Sequence, residues 1–165
     1  MPDQITATLT SANVKILEGK QAEMHAKQSQ VPCLVFVYNP DCGHCIKALD
    51  YMVPFLKRLA ISKKNSELKV LGVNTQRETD ESSDSFLSKN NVNFTPTFLM
   101  FYPGNDGRGN PYPSNLPRDS ENMWKFAFEP KKQSNPYQYD YENSEDELGE
   151  DKMPYFMQRT SANRE

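Results

Sequence analysis

The chain has 165 residues, of which 36% are hydrophobic and 25% charged, with a mean hydropathy of −0.79 and a net charge of −3. No apolar run approaches the roughly 18 residues that a membrane span needs, so the sequence excludes a membrane protein. The near-balanced charge argues against a nucleic-acid binder that depends on phosphate contacts. The first residues, Met1-Pro-Asp-Gln, lack the basic and apolar regions of a secretory signal, which predicts a cytoplasmic protein.

The first 128 residues predict helices that alternate with strands. Short apolar runs with β-branched and aromatic members predict buried strands at residues 33–38, 68–74 and 97–102. Helical periodicity and capping residues predict helices at residues 11–29, 44–60 and 80–90 and within 118–128. Helices between strands imply parallel pairing at the start of the sheet and an α/β sandwich.

Three of these helices carry specific expectations. Ser11 is a candidate N-cap for the first helix, with Val14, Leu17 and Met24 on one face. Pro54 is expected to kink the second, because proline removes a backbone donor. The apolar stripe expected on that second helix is Ile46, Leu49, Val53, Leu56 and Ala60. The last helix is expected to begin at a cap, Asp119 or Ser120, and to bury Met123, Trp124 and Ala127.

Two of the three cysteines form the motif Cys42-Gly-His-Cys45, between the first predicted strand and the following helix. Unpaired N–H groups and the positive end of the helix dipole favour a thiolate at such a helix N-terminus. The second thiol, one turn later, is placed to attack a mixed disulfide formed by the first. The motif therefore predicts dithiol–disulfide chemistry.

Residues 33–60 and 92–102 resemble the thioredoxin superfamily, and Cys-Gly-His-Cys is the form typical of its protein disulfide isomerase domains. The resemblance implies a thioredoxin-like three-layer α/β/α sandwich with a mixed central sheet over residues 1–128, matching best over 10–102. It also implies a thiol–disulfide oxidoreductase that acts on protein disulfides and needs no cofactor.

The resemblance assigns roles to individual residues. Cys42 would be the attacking nucleophile and Cys45 the resolving thiol, with Gly43 and His44 between them and His44 stabilising the thiolate as a cation. Thr95-Pro96-Thr97 matches the family's loop in which the proline is cis and the preceding backbone pairs with substrate. We assign Cys42, Gly43, His44 and Cys45 to catalysis and Asp41, Thr95 and Pro96 to substrate binding.

The sequence departs from the family pattern at several positions. Asp41 stands where an aromatic residue usually precedes the first cysteine, and its charge is expected to raise the pKa of the Cys42 thiol. Phe36 replaces the buried acid that assists proton transfer from the resolving cysteine, and Asp50 replaces a helix proline. Residues 103–111 replace the usual short hairpin into a last strand.

A metal site is the alternative interpretation of paired cysteines. Structural zinc needs four ligands, and only Cys33 and the scattered histidines remain to complete a set. An iron–sulfur cluster shared between two chains through the motif is the other metal alternative in the superfamily. We predict no metal, and we expect Cys33 to be a buried core residue.

Residues 129–165 predict an acidic, extended or disordered arm. Seven carboxylates fall among the twelve residues 140–151, which is typical of a solvated tail. Aromatic clusters at 137–141 and 153–157 instead favour an arm anchored on a partner.

The arm supports an alternative to an enzyme. On this hypothesis the protein is a non-enzymatic structural component of a multi-protein assembly, such as the virion of a large DNA virus, since thioredoxin-like proteins occur among large DNA viruses. A third hypothesis is a redox sensor in which the disulfide state controls partner binding.

Overall fold

The computed structural model describes residues 3–104 and 108–129. Five strands form one sheet: β1 Lys15–Ile16, β2 Cys33–Tyr38, β3 Lys69–Asn74, β4 Thr97–Phe101 and β5 Asn110–Pro111. Five helices flank it: α1 Gln4–Ser11, α2 Gly19–Gln28, α3 Gly43–Ile61, α4 Phe86–Lys89 and α5 Ser120–Phe128. A 3₁₀ turn, Thr75–Arg77, follows β3.

The sheet is mixed, with strand order β1-β3-β2-β4-β5. β2 pairs parallel with β3, Cys33 lying opposite Lys69, and antiparallel with β4, Cys33 lying opposite Phe101. β1 pairs parallel with β3 at the other edge, and β5 pairs antiparallel with β4. The parallel pairing expected at the start of the sheet is confirmed.

β2 lies at the centre of the sheet because every one of its side chains is apolar or aromatic, and all six residues are buried. Successive side chains of a strand point to opposite faces, so β2 contributes to two cores. Leu34, Phe36 and Tyr38 pack with α1, α3 and α5, while Cys33, Val35 and Val37 pack with α2 and α4. This is a three-layer α/β/α sandwich, and Cys33 is a buried core residue, both as predicted.

α3 confirms the predicted second helix, although the stripe that it buries differs from the predicted one. The core-facing residues are Cys45, Ala48, Leu49, Met52, Phe55, Leu56 and Leu59. Ile46 is 37% exposed and Ala60 is exposed, because the large side chains of Met52 and Phe55 turn the buried face toward the sheet and α5. The helix is a single 19-residue element that includes Pro54.

The single helix predicted over residues 11–29 is wrong. Ser11 ends α1 instead of capping a helix, β1 follows, and α2 begins only after Glu18, whose side chain takes part in a capping box. Asn13 has a φ of 66°, which no continuing helix allows. Met24, expected on the apolar face, is 58% exposed.

One other prediction at the element level needs correction, since only Phe86–Lys89 is helical within the predicted stretch 80–90. Residues 103–111, expected to replace a short hairpin into a last strand, include β5, because Asn110–Pro111 pairs with β4. The last helix is confirmed, with Asp119 as its N-cap and Met123, Trp124 and Ala127 buried.

Residues 130–165, which contain nearly all of the predicted arm, lie outside the described residues. In the part of the chain that the structure describes, no helix combines the length and the apolar character needed to cross a membrane.

Candidate active site

The cysteine motif lies where the chain leaves the central strand and starts its longest helix. Cys42 is the N-cap residue of α3 and is half-buried, whereas Cys45, in the first turn, is fully buried. The Cys45 backbone N–H donates to the Cys42 carbonyl oxygen at 3.0 Å, so the two residues face each other across one helical turn. Both cysteines are present as free thiols.

The helix N-terminus favours the thiolate form of Cys42. A hydrogen bond from the backbone N–H of Cys45 lowers the pKa of the Cys42 thiol, and bonds from the Thr95 side chain and the His44 backbone act in the same direction. Together they outweigh the smaller effect of burial, which raises it. Cys42 is therefore the better nucleophile of the pair at neutral pH.

Cys45 has the opposite character. Burial raises the pKa of the Cys45 thiol, and the neighbouring Cys42 adds to that rise. Its Sγ accepts a weak hydrogen bond from the Asn39 backbone N–H at 3.5 Å, which fixes the sulfur at the end of β2. An accessible, acidic thiol thus lies beside a protected, less acidic one.

The loop before β4 completes the site. The Thr95–Pro96 peptide bond is cis, as the resemblance implied. Because β4 runs antiparallel to β2, this loop meets the motif, and the Cys42 Sγ donates to the Thr95 carbonyl oxygen at 3.7 Å. Thr97 Oγ1 donates to the Phe94 carbonyl oxygen at 2.6 Å and closes the loop on itself. The structure therefore brings Cys42, Cys45 and Thr95 together.

A groove of about 450 Å³ runs from the motif along the loop, and we call it the 94–96 groove. Two predicted site residues besides Thr95 line it, His44 and Pro96. The sequence reasoning missed its other lining residues, which are Lys47, Ala48, Tyr51, Phe94 and Arg118. Phe94 could have been found from its position next to Thr95, but nothing in the sequence places Arg118 there.

Asp41 is not one of the residues that line this groove. Its exposed carboxylate accepts a hydrogen bond from Gln76 Nε2 at 2.6 Å, and Gln76 also donates to Asn39 Oδ1 at 3.3 Å. The Asp41 backbone N–H donates to the same Asn39 oxygen at 2.9 Å. Asp41 is not among the residues that line the groove with Thr95 and Pro96, so its assignment to substrate binding stays a prediction.

Gly43 and His44 separate the two cysteines on the exposed side of the helix start. A Cβ added at Gly43 would meet no atom within 4 Å, so packing does not require glycine there. His44 is exposed and lines the groove, close to where a substrate would approach Cys42.

The position of the family's buried acid is filled by an aromatic stack. Phe36 is fully buried, with its ring centroid 5.0 Å from that of Phe98 and the two planes 7° apart. The one buried carboxylate among the described residues is Glu23, which is paired with Lys89 at 2.7 Å and Lys27 at 3.3 Å. No buried carboxylate of the described segments is thus left to take the Cys45 proton.

The chemistry of the donor set does not favour a metal at the motif. In the described segments no group of three or more His, Cys, Asp and Glu side chains converges as a metal site would require. Cys33 contributes to the core on the opposite face of the sheet from Cys45.

Comparison with solved structures shows a thioredoxin fold. The chain superposes with a TM-score of 0.52 and 21% identity on the J-Trx1 fragment of ERdj5, covering 70% of this chain and 49% of that one. For the first two thioredoxin domains of Naumovozyma dairenensis Eps1p the values are 0.54 and 20%, covering 76% and 43%. The chain thus spans less than half the length of these two proteins.

A third similar structure is of more nearly equal size. Chloroplastic thioredoxin z has a TM-score of 0.52 and 16% identity, covering 72% of this chain and 95% of that one. No protein-family model and no curated protein matches the sequence. At these identities the similarity establishes the thioredoxin-like α/β fold, and the chemistry has to be argued from the site.

Proposed function

We propose that the protein is a thiol–disulfide oxidoreductase that acts on protein disulfides through the Cys42/Cys45 pair. The observation that carries the proposal is the asymmetry of the two thiols at the start of α3. Cys42 is accessible with a lowered pKa, and Cys45 is buried one turn away with a raised pKa. An accessible nucleophilic thiol next to a buried resolving thiol is the arrangement that disulfide exchange requires.

The reaction proceeds in two exchanges. The Cys42 thiolate attacks one sulfur of a substrate disulfide, so a Cys42–substrate disulfide forms, the substrate S–S bond breaks, and the other sulfur leaves as a thiolate. Cys45 then loses its proton to solvent and attacks the Cys42 sulfur, which forms the Cys42–Cys45 disulfide and releases the substrate as a dithiol. Two electrons pass from the cysteine pair to the substrate, and the reverse sequence oxidises a dithiol.

Insulin reduction with dithiothreitol as the electron donor tests the proposal. We expect Cys42→Ser to abolish turnover. Cys45→Ser, reduced beforehand and mixed with insulin after dithiothreitol is removed, should accumulate a mixed disulfide through Cys42, which mass spectrometry would detect. Cys33→Ala, in the core on the other face of the sheet, is the matched control and should retain turnover. Insulin reduction by Cys42→Ser at the wild-type rate would overturn the assignment of the nucleophile.

The direction of the reaction follows from the reduction potential of the pair. The Cys-Gly-His-Cys motif favours a disulfide isomerase-like protein, with a potential near about −180 mV, whereas a reductase has a potential near about −270 mV. Equilibration of the Cys42/Cys45 couple with glutathione buffers measures this value. Reactivation of scrambled ribonuclease should accompany the higher value, and insulin reduction should be faster at the lower one.

The structural alternative depends on residues 129–165 and on a partner that they would bind. Whether the protein lies in the cytoplasm or in a virion belongs to the same hypothesis. A protein whose main role is structural would change its location when these residues are removed, while an enzyme would keep its turnover.

A further inference from the structure

The 94–96 groove carries an uneven distribution of charge. Its lining includes two full cations, Lys47 and Arg118, together with His44, and it includes no carboxylate. Lys47 forms no ion pair within 4.0 Å among the described residues, and neither does Arg118. The nearest acid to the motif in sequence, Asp41, is held by Gln76 and does not line the groove.

Arg118 is held in position by contacts with a carbonyl oxygen and two aromatic rings, none of which is a carboxylate. Its Nη1 donates to the Pro96 carbonyl oxygen at 3.3 Å, which ties it to the loop beside Cys42. Its guanidinium carbon also lies 5.6 Å from the ring centroid of Phe98 and 5.8 Å from that of Tyr112. A guanidinium oriented in this way loses little side-chain entropy when it binds a carboxylate.

Lys47 faces the same groove from α3. It follows Cys42 by five residues, which corresponds to about 7 to 8 Å along a helix axis. The groove also offers an apolar surface, since Phe94 is 67% exposed and Tyr51 and Ala48 line the groove with the two cations. An extended peptide that reaches from Cys42 to Lys47 needs about two to four residues, at roughly 3.3 Å each.

We propose that the 94–96 groove selects substrates that carry an Asp or Glu about two to four residues from the disulfide-forming cysteine. The occupant is an extended acidic segment of the disulfide-bearing substrate protein, with its carboxylate between Lys47 and Arg118 and an apolar side chain against Phe94. The proposal rests on the proposed function, because it names the substrate class of the same site.

Single-turnover reduction of matched peptides tests the proposal. Each peptide carries one cysteine in a mixed disulfide with a chromogenic thiol and has Glu, Gln or Lys three residues away, and the protein is reduced beforehand so that its own thiols supply both electrons. At low ionic strength we expect the Glu peptide to react roughly five to ten times faster than the Lys peptide, as two screened charge pairs allow. The ratio should fall toward one at about 0.5 M salt, because exposed charges are screened.

The variant Lys47→Glu should remove or reverse the preference. Its matched control is Lys57→Glu, which makes the same charge change at an exposed position of α3 ten residues further on, about 15 Å along the axis. We expect Lys57→Glu to keep the wild-type ratio. The double variant with Lys47→Ala and Arg118→Gln should show a weaker preference for the Glu peptide than the variant with Lys47→Ala alone.

Two readouts separate this proposal from the proposed function. Peptides with Ser in place of Cys report binding alone, through NMR shifts of the groove residues, and should show the same order of Glu over Gln over Lys. A wild-type protein that binds with this preference but reduces none of the disulfide peptides would contradict the oxidoreductase proposal only. Equal rates for the three disulfide peptides at low salt would overturn the charge-selective groove.

Discussion

At the scale of single residues, the two thiols of the motif differ because their sulfurs lie in different environments one turn apart. The backbone N–H groups at the start of α3 stabilise a charge on Cys42, and the buried surroundings of Cys45 oppose one. The Cys42 thiol should therefore ionise at a lower pH than an ordinary thiol, and the Cys45 thiol at a higher pH. On the proposed function, we expect the raised pKa of the Cys45 thiol to slow the resolution of a mixed disulfide at neutral pH, since Phe36 supplies no acid–base group.

Replacing Asp41 by Asn should lower the pKa of the Cys42 thiol further. The change removes a negative charge from the residue next to the nucleophile and keeps an oxygen that accepts the Gln76 hydrogen bond. The measurement is the rate of alkylation of Cys42 by iodoacetamide from about pH 5 to pH 10, which follows the thiolate. We expect the midpoint to move to lower pH than in the wild type.

Asp50→Asn is the control for this experiment. Asp50 is exposed on the same helix and lies eight residues from Cys42, about 12 Å along the axis, so its charge is largely screened. Its midpoint should equal that of the wild type. Equal midpoints for Asp41→Asn and the wild type would contradict the inference that Asp41 opposes the thiolate.

At the scale of elements, the N-terminal region shows why local patterns misled. Residues 11–29 contain enough apolar residues at helical spacing to predict one helix, yet the chain turns at Asn13 and adds β1 to the sheet. β1 is two residues long and is stabilised by pairing with β3, more than fifty residues away in the sequence. A strand that depends on such a distant partner leaves little local signal.

Asp3→Ala should destabilise the protein by about 1 kcal/mol, because Asp3 caps α1. Its carboxylate accepts hydrogen bonds from the Thr6 backbone N–H at 2.8 Å and from Thr6 Oγ1 at 2.9 Å, and Thr6 in turn bonds the Tyr38 hydroxyl at 2.6 Å. Urea unfolding at neutral pH measures the change. Asp50→Ala removes a carboxylate from an exposed helix interior and should cause no comparable loss.

The contribution of this cap depends on pH in a defined direction. Partial burial raises the pKa of Asp3, but the hydrogen bonds from Thr6 and the backbone of Asp3 and Ile5 together outweigh it and hold the folded-state pKa below the ordinary value of 3.8. A depressed carboxylate pKa stabilises the fold above the ordinary value, and the stabilisation is lost as the pH falls through the folded-state pKa. The difference between the wild type and Asp3→Ala should therefore shrink in acid, and a difference that grows there would contradict the cap.

At the scale of the whole molecule, the fold depends on two cores that residues 5–127 build on the two faces of one sheet. The last helix closes the larger core on α3. Trp124 packs against Phe55 with ring centroids 5.9 Å apart, and Arg58 lies 4.0 Å from the Trp124 ring. Phe55 and Arg58 belong to α3, which carries the cysteine pair at its N-terminal end. These contacts with Trp124 therefore also fix the direction in which the motif points.

A chain that ends at Glu129 should retain the melting temperature of the full chain to within about 4 °C. Among the described residues, both cores are built by residues 5–127, and we expect turnover in insulin reduction to be likewise unchanged. Fluorescence of Trp124, the one tryptophan of the sequence and 9% exposed, follows unfolding. Loss of turnover with an unchanged melting temperature would instead give residues 130–165 a role in the reaction.

The sequence by itself determined the central strand, the long helix after the cysteines and the last capped helix. Each is encoded locally, by the apolar run of residues 33–38, by helical periodicity after Cys42 and by the Asp119 cap. The sequence also determined which thiol is accessible. Cys42 comes before Cys45 at the start of the helix, and the N-terminal position on a helix is a local property.

Only the tertiary structure decided the edges of the sheet and the surroundings of the cysteines. β1 and β5 are two residues each and exist through pairing with distant strands. Lys47, Phe94 and Arg118 line one groove with His44 and Thr95 because antiparallel β2 and β4 bring the 94–96 loop to the motif, and a hydrogen bond to that loop adds Arg118. Contacts between residues far apart in the sequence follow from packing, and packing has no local signature that a sequence pattern can display.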